Sequence, residues 1–141
     1  MIEYLDSPHD LRPEQLTGFF VGWPKPPSTD THLKILKQSS FVVMAQDTET
    51  GRIVGFINAV SDRVLSAYIP LLEVLPEFQG RGIGGHLVKR LMAQLDGLYM
   101  IDLVCNEDLI PFYEKFGLKS SGAMQVVSMI RRDFDHQDGR R

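Results

Sequence analysis

Four glycines fall within six residues, at Gly80, Gly82, Gly84 and Gly85, between an apolar strand-like run ending at Pro76 and an amphipathic helical pattern. Glycine costs a helix about 1 kcal/mol per residue relative to alanine. A cluster at a helix start is therefore kept for what it allows to approach the backbone. The first turn of a helix carries unpaired N–H groups and the positive end of the helix dipole. Glycines there admit a phosphate directly onto those N–H groups. The functional reading is a pyrophosphate cradle, and the structural one is a tight, closely packed strand-to-helix turn. A P-loop would place Lys and Ser or Thr after Gly85, but His86 and Leu87 follow, which excludes it. The dinucleotide pattern G-x-G-x-x-G is matched by Gly80, Gly82 and Gly85, with Asp102 about 20 residues beyond Gly82. That domain needs several βαβ units. Only about 55 residues follow Gly85, and consecutive strands precede it.

Those strands are legible in order. Ile2, Tyr4 and Leu5 start a short edge strand, and Pro13 with Leu16, Phe19 and Phe20 at helical spacing predicts a first helix over about residues 12–20. Pro24, Pro26 and Pro27 make a stiff extended loop. A second helix starts near Ser28, Thr29 or Asp30 and carries Leu33, Ile35 and Leu36. Residues 41–46 and 52–60 form an antiparallel hairpin around a turn at Gly51. Residues 67–74 are the next strand, with Pro70 predicting an irregular start or a distortion. Ile83, Leu87, Val88, Leu91, Met92 and Leu95 share one face of a helix over about residues 82–95. Residues 98–105 form a further strand, parallel to the strand before the helix, so a ligand belongs at the carboxyl ends of that pair. Asp108 is the expected cap of a short helix stopped by Gly117, and residues 124–131 close the sheet. Residues 1–134 read as one domain and 135–141 as a loose tail.

Composition narrows the partners. A 141-residue chain that is 43% hydrophobic suits one domain with its own core. A net charge of −3 without a basic run disfavours sequence-independent nucleic-acid binding. Cys105 is the lone cysteine, so neither a disulfide framework nor a cysteine-based metal site is expected. No 18-residue apolar run occurs, and the N-terminus lacks a secretion signal, so no membrane association and a cytoplasmic setting are expected. A homodimer is compatible with the sequence.

The segment Gln79-Gly80-Arg81-Gly82-Ile83-Gly84 is Q/R-x-x-G-x-G/A, preceded by Leu-Glu-Val-Leu-Pro-Glu-Phe. It resembles the acetyl-CoA signature of the GNAT superfamily of N-acetyltransferases. Asn106 followed by Tyr113, Glu114 and Gly117-Leu118 resembles that family's second signature. The resemblance covers about residues 40–130. It implies a mixed α/β fold with a central, mostly antiparallel sheet flanked by helices, and a splayed parallel strand pair at the acetyl-CoA site. It also implies direct transfer of an acetyl group from acetyl-CoA to a primary amine in a ternary complex, without a metal. The acceptor is a small-molecule or peptide amine. A non-catalytic acyl-CoA sensor is the alternative.

The resemblance implies cofactor contacts from Leu72, Glu73, Val74, Gln79, Gly80, Arg81, Gly82, Ile83, Gly84, Gly85, Asn106 and Tyr113. A backbone N–H among Leu72 to Val74 would stabilise the developing oxyanion. Tyr113 is the expected acid. A tyrosine near pKa 10 gives its proton to a thiolate near 8.5 uphill by about 1.5 units, roughly 2 kcal/mol. Glu73 is the expected base, directly or through water, because an alkyl amine arrives protonated. Phe19, Trp23 and Tyr68 are the expected acceptor-side residues.

Overall fold

A computed structural model of the chain describes residues 1–121 and 126–139. The hairpin of β2 (Phe41–Asp47) and β3 (Ile53–Ser61) is its centre. Gly51, at φ +77°, donates its N–H to the Asp47 carbonyl at 2.8 Å and turns the chain. β1 (Ile2–Leu5) adds to β2 as the antiparallel edge. The strand expected over residues 67–74 is two strands. β4 (Ser66–Ile69) pairs with β3 and runs parallel to β6 (Met100–Asn106), whereas β5 (Leu72–Val74) pairs only with β3. Pro70 supplies no N–H, and the ladder breaks there. Beyond Pro70, β5 follows β3 and leaves the flank of β6. β8 (Val126–Arg132) pairs antiparallel with β6, and β7 (Lys119–Ser120) with β8. The sheet is thus mostly antiparallel, with one parallel pair. Met124 and Gln125 of the expected last strand, and Arg140 and Arg141 of the tail, lie outside the described residues.

Helices cover both faces. α1 (Thr29–Gln38) is capped by Ser28, whose hydroxyl accepts the Thr31 N–H at 3.2 Å, a cap whose loss costs about 1 kcal/mol. It buries His32, Leu33 and Leu36, and His32 packs 4.4 Å from the Phe56 ring. α2 (Ile83–Gln94) buries Ile83, Leu87, Val88 and Leu91 on the other face. A Cβ on Gly55 would meet Leu87 at 3.1 Å and Ile83 at 3.3 Å. Gly55 and Phe56 are consecutive, so they point to opposite faces, and the two helices sandwich β3.

The first helix expected over residues 12–20 does not form. Only Pro13–Leu16 makes a 3-10 turn. Gly18 at φ +96°, Phe20 at +63° and Gly22 at +85° bend the following chain into a compact loop, and no helix passes through left-handed residues. The helical spacing of Leu16, Phe19 and Phe20 comes from that folded loop. Nor does Asp108 cap a helix. Glu107–Leu109 is a 3-10 turn that runs into α3 (Ile110–Glu114), with Pro111 in its first turn, where no intrahelical N–H is lost. The polar tail begins with a 3-10 turn over Phe134–His136, capped by the Asp133 carboxylate.

Candidate active site

The split at Pro70 opens a groove between β5 and the carboxyl end of β6. Its two compartments, of about 490 Å³ and about 510 Å³, share Leu72, Glu73, Val74, Gln79, Leu109 and Tyr113.

One compartment lies over the glycine cluster. Gly80 and Gly82 have φ of +78° and +80°, and Gly82 caps α2 in the left-handed conformation. No side chain caps the helix, and its first turn carries no acidic residue. The first intrahelical bond runs from the His86 N–H to the Gly82 carbonyl at 3.2 Å, so the N–H groups of Ile83, Gly84 and Gly85 are the unpaired ones. They form a concave donor set at the positive end of the helix. Gly80, Gly82, Ile83, Gly84, Gly85 and Phe112 line this compartment. Arg81 does not. Its guanidinium turns back over the Phe78 ring, 5.0 Å away, and donates to the Glu77 carbonyl at 3.4 Å.

The orientation of β5 decides which of its groups face the groove. Leu75 donates its N–H to the Val54 carbonyl at 2.8 Å, and the Leu71 carbonyl accepts the Asn58 N–H at 3.3 Å. Backbone groups of an antiparallel strand alternate in direction. Residues 71, 73 and 75 therefore turn theirs to β3, and Leu72 and Val74 turn theirs to the open side. The Gln79 side-chain amide, donating to the Val74 carbonyl at 3.0 Å, fits that alternation. Of the backbone N–H groups expected to matter over Leu72 to Val74, those of Leu72 and Val74 are free of the β3 ladder.

The other compartment lies beside the loop that carries Phe20 and Trp23. Phe20, Val21 and Trp23 line it together with Glu73, Val104, Cys105, Asn106 and Tyr113. Tyr113 is buried on α3 and faces both compartments. Burial first, and the neighbouring Cys105 second, push its pKa up to about 12. Burial, then the Asp108 carboxylate, raises the Cys105 thiol, which keeps it in the protonated, weakly nucleophilic form. Asn106 ends β6 at the groove. Both Glu73 oxygens accept backbone N–H groups, Oε1 from Phe20 at 2.8 Å and Oε2 from Val21 at 3.3 Å.

Two expected acceptor-side residues lie elsewhere. Phe19 is in the core, edge-on to His32 and Phe56. The loop bent by Gly18 and Phe20 buries both rings, and Phe20 also lines the groove. Tyr68 does not line the groove. It sits on β4 between the buried Ala67 and Ile69, and strand alternation turns it to the outer surface of the sheet. Val21, Val104, Leu109 and Phe112 are among the groove residues that sequence reasoning missed. The glycines flanking Phe20 were the available signal for a loop there. Among the described residues no group of three or more His, Cys, Asp or Glu is placed to hold a metal ion. No helix of these residues is long and apolar enough to cross a membrane.

Comparison with known proteins follows the same lines. The acetyltransferase (GNAT) family model matches residues 8–118. The chain is 33% identical over 100 residues to an uncharacterized N-acetyltransferase, ycf52, of Porphyra purpurea, a match that spans 69% of this chain and 58% of that protein. It thus covers less than two thirds of that relative's length. A crystal structure from Deinococcus radiodurans R1, assigned as an acetyltransferase, superposes with a TM-score of 0.82 at 41% identity, covering 96% of this chain and 91% of that one. A GNAT family acetyltransferase from Elizabethkingia anophelis with acetyl-CoA bound shares the fold, with a TM-score of 0.62 at 14% identity over 94% of this chain and 98% of that one.

Proposed function

The chain belongs to the acetyltransferase (GNAT) family, and on that premise we propose that it transfers an acetyl group from acetyl-CoA to a primary amine by direct attack in a ternary complex. The observation that carries this reading is the single groove that joins the uncapped N-terminus of α2 to the splayed strand β5 and to Tyr113. When bound, acetyl-CoA supplies an activated thioester whose carbonyl oxygen gains negative charge during attack. The N–H groups of Ile83, Gly84 and Gly85 hold its pyrophosphate, with Gly80 and Gly82 shaping the approach. The outward N–H groups of Leu72 and Val74 receive the growing charge. Gln79 keeps the Val74 carbonyl occupied, so that the lone pairs beside those donors are not left facing the ligand.

Tyr113 acts as a hydrogen-bond donor to the departing sulfur. With its pKa near 12 against a thiol near 8.5, complete proton transfer is uphill by about 3.5 units, roughly 5 kcal/mol. The uphill step is larger than the ordinary tyrosine value suggests. A donated hydrogen bond stabilises the thiolate without that cost, and Asn106 lies at the same end of the groove. The surplus proton of an alkyl amine leaves through water to Glu73, on the amine side of β5. A carboxylate has about four lone-pair sites, and the loop amides occupy one on each oxygen.

The amine compartment favours an acceptor with one cationic amine on an apolar body. Glu73 is its single charged side chain among the described residues, and Phe20, Val21, Trp23, Val104 and Leu109 surround it. A polycation would find one carboxylate only. A cytoplasmic setting completes the reading and suits a chain with one unpaired cysteine.

The test is titration calorimetry with acetyl-CoA, then CoA release assayed with benzylamine and with spermidine. Binding, with faster release in benzylamine, supports the proposal in full. Binding without amine-dependent release from either would sink the transferase reading and leave an acyl-CoA sensor. Faster release with spermidine would overturn the acceptor class alone.

A further inference from the structure

The amine wall of the groove is built on a strained turn. Gly18, Phe20 and Gly22 all have positive φ, and at Phe20, with +63°, a bulky side chain makes that conformation an outlier. Such outliers persist where surrounding contacts over-determine them. The turn closes with the Trp23 N–H donating to the Phe20 carbonyl at 3.1 Å, and the Trp23 ring packs edge-on to Phe20, 5.0 Å away.

Two side chains distant in sequence hold this turn. Arg52 donates through Nη2 to the Thr17 carbonyl at 3.0 Å and through Nη1 to Oε1 of Glu77 at 3.1 Å. Gly18 admits that guanidinium, since a Cβ there would come within 2.7 Å of Nη2. Glu73 holds the far side of the turn through the N–H groups of Phe20 and Val21. Both anchors end on the short segment that runs from β5 into the glycine cradle, at Glu73 and Glu77. The wall that receives the amine is thus fastened at two points to the strand that presents Leu72 and Val74.

We propose that Arg52, which lies outside the groove, is a positioning residue for acetyl transfer, and that Glu73 shares this task beside its place in the groove. Arg52 fixes where Phe20 and Trp23 stand relative to β5, and so where an amine sits relative to the thioester carbonyl. A fork is needed because two acceptors, a carbonyl and a carboxylate, must be held together, which a lysine ammonium does poorly. The proposal rests on the acetyl-transfer reading for the identity of the groove's occupant. The position of the wall itself does not depend on that reading.

Trp23 is the single tryptophan of the chain, so its fluorescence reports on the wall directly. The experiment compares wild type, Arg52→Ala, Arg52→Lys and Glu73→Gln, all as the full chain. It measures acrylamide quenching of Trp23, acetyl-CoA affinity by calorimetry, and the KM for benzylamine. Arg52→Ala is expected to raise Trp23 quenching and to raise the benzylamine KM about fivefold, as loss of one charge-assisted anchor implies, while acetyl-CoA affinity stays at the wild-type value. Glu73→Gln should raise Trp23 quenching as well, and Arg52→Lys should restore little of what Arg52→Ala loses. Wild-type Trp23 quenching in both Arg52→Ala and Glu73→Gln would overturn the proposal, as would a lower melting temperature in Arg52→Ala with quenching and KM unchanged. If wild type itself does not acetylate benzylamine, the acceptor class proposed above falls, and the quenching comparison still decides the role of Arg52.

Discussion

A Cβ built on Gly84 would stand 3.8 Å from Cζ of Phe112, at ordinary van der Waals distance. The Phe116 ring stands in the same relation to Gly85, at 3.7 Å. The protein without ligand therefore has room for alanine at both places. Gly80 and Gly82 differ, since their positive φ requires glycine although nothing crowds them.

Gly84→Ala is accordingly expected to leave the fold intact and to raise its stability by up to about 1 kcal/mol, the helix propensity gained. The added methyl stands over the phosphate donors, and acetyl-CoA affinity should fall about tenfold or more. Urea unfolding and calorimetry on the same preparation check both halves. A variant that is no less stable yet binds acetyl-CoA normally would show that glycine at position 84 is not required by the ligand.

Tyr113→Phe should lower kcat about tenfold or more, the loss of one hydrogen bond to a charged sulfur of about 1.5 kcal/mol or more, with little change in acetyl-CoA affinity. The pH profile is a separate check. Because burial holds the phenol near pKa 12, it remains a donor throughout the alkaline range. The rate of the wild type should not decline between pH 9 and pH 10.5 on its account. A decline centred near pH 10 that vanishes in Tyr113→Phe would contradict this environment for the hydroxyl.

His32 gives the fold a dependence on acid. Its ring lies among Phe19, Phe20 and Phe56, and neither nitrogen has a hydrogen-bond partner among the described residues. Burial lowers its pKa from 6.5 to about 4. The neutral ring's contribution is complete above pH 6.5 and is lost as the pH falls toward 4, because the unfolded chain takes up a proton that the folded one refuses. Stability should drop by roughly 1.4 kcal/mol per pH unit across that window. Urea midpoints at pH 7 and pH 5 should differ less in His32→Leu than in wild type, and identical differences would remove His32 as the cause.

Trp23→Ala tests the amine wall by subtraction. The side chain is 51% exposed, so its loss should cost the fold little. It should raise the benzylamine KM without altering acetyl-CoA affinity, because the ring lines the amine compartment and not the cradle. Steady-state kinetics in both substrates separates the two.

Much of this arrangement is encoded locally and is readable without coordinates. Continuous apolar runs on either side of the turn at Gly51 mark β2 and β3, the 3.6-residue apolar stripe marks α2, and the run Ser28 to Asp30 brackets the start of α1, because each depends on residues within a turn or two of one another. The glycine cluster, and through its family resemblance the Asn106 to Leu118 segment, pointed to residues that line the groove. Tertiary structure decided the rest. Pro70 announced a distortion, but only pairing with β3 on one side and β6 on the other determined that the strand divides and opens a groove. The spacing of Leu16, Phe19 and Phe20 looked helical, whereas the positive φ at Phe20, in a turn hydrogen-bonded to Glu73 and Arg52 more than 30 residues away, ends any helix there and brings Phe20 to the groove. The sequence announces a backbone preference wherever the cause is local. It is silent where a conformation is held by hydrogen bonds from distant strands, because those partners become neighbours only after the chain has folded.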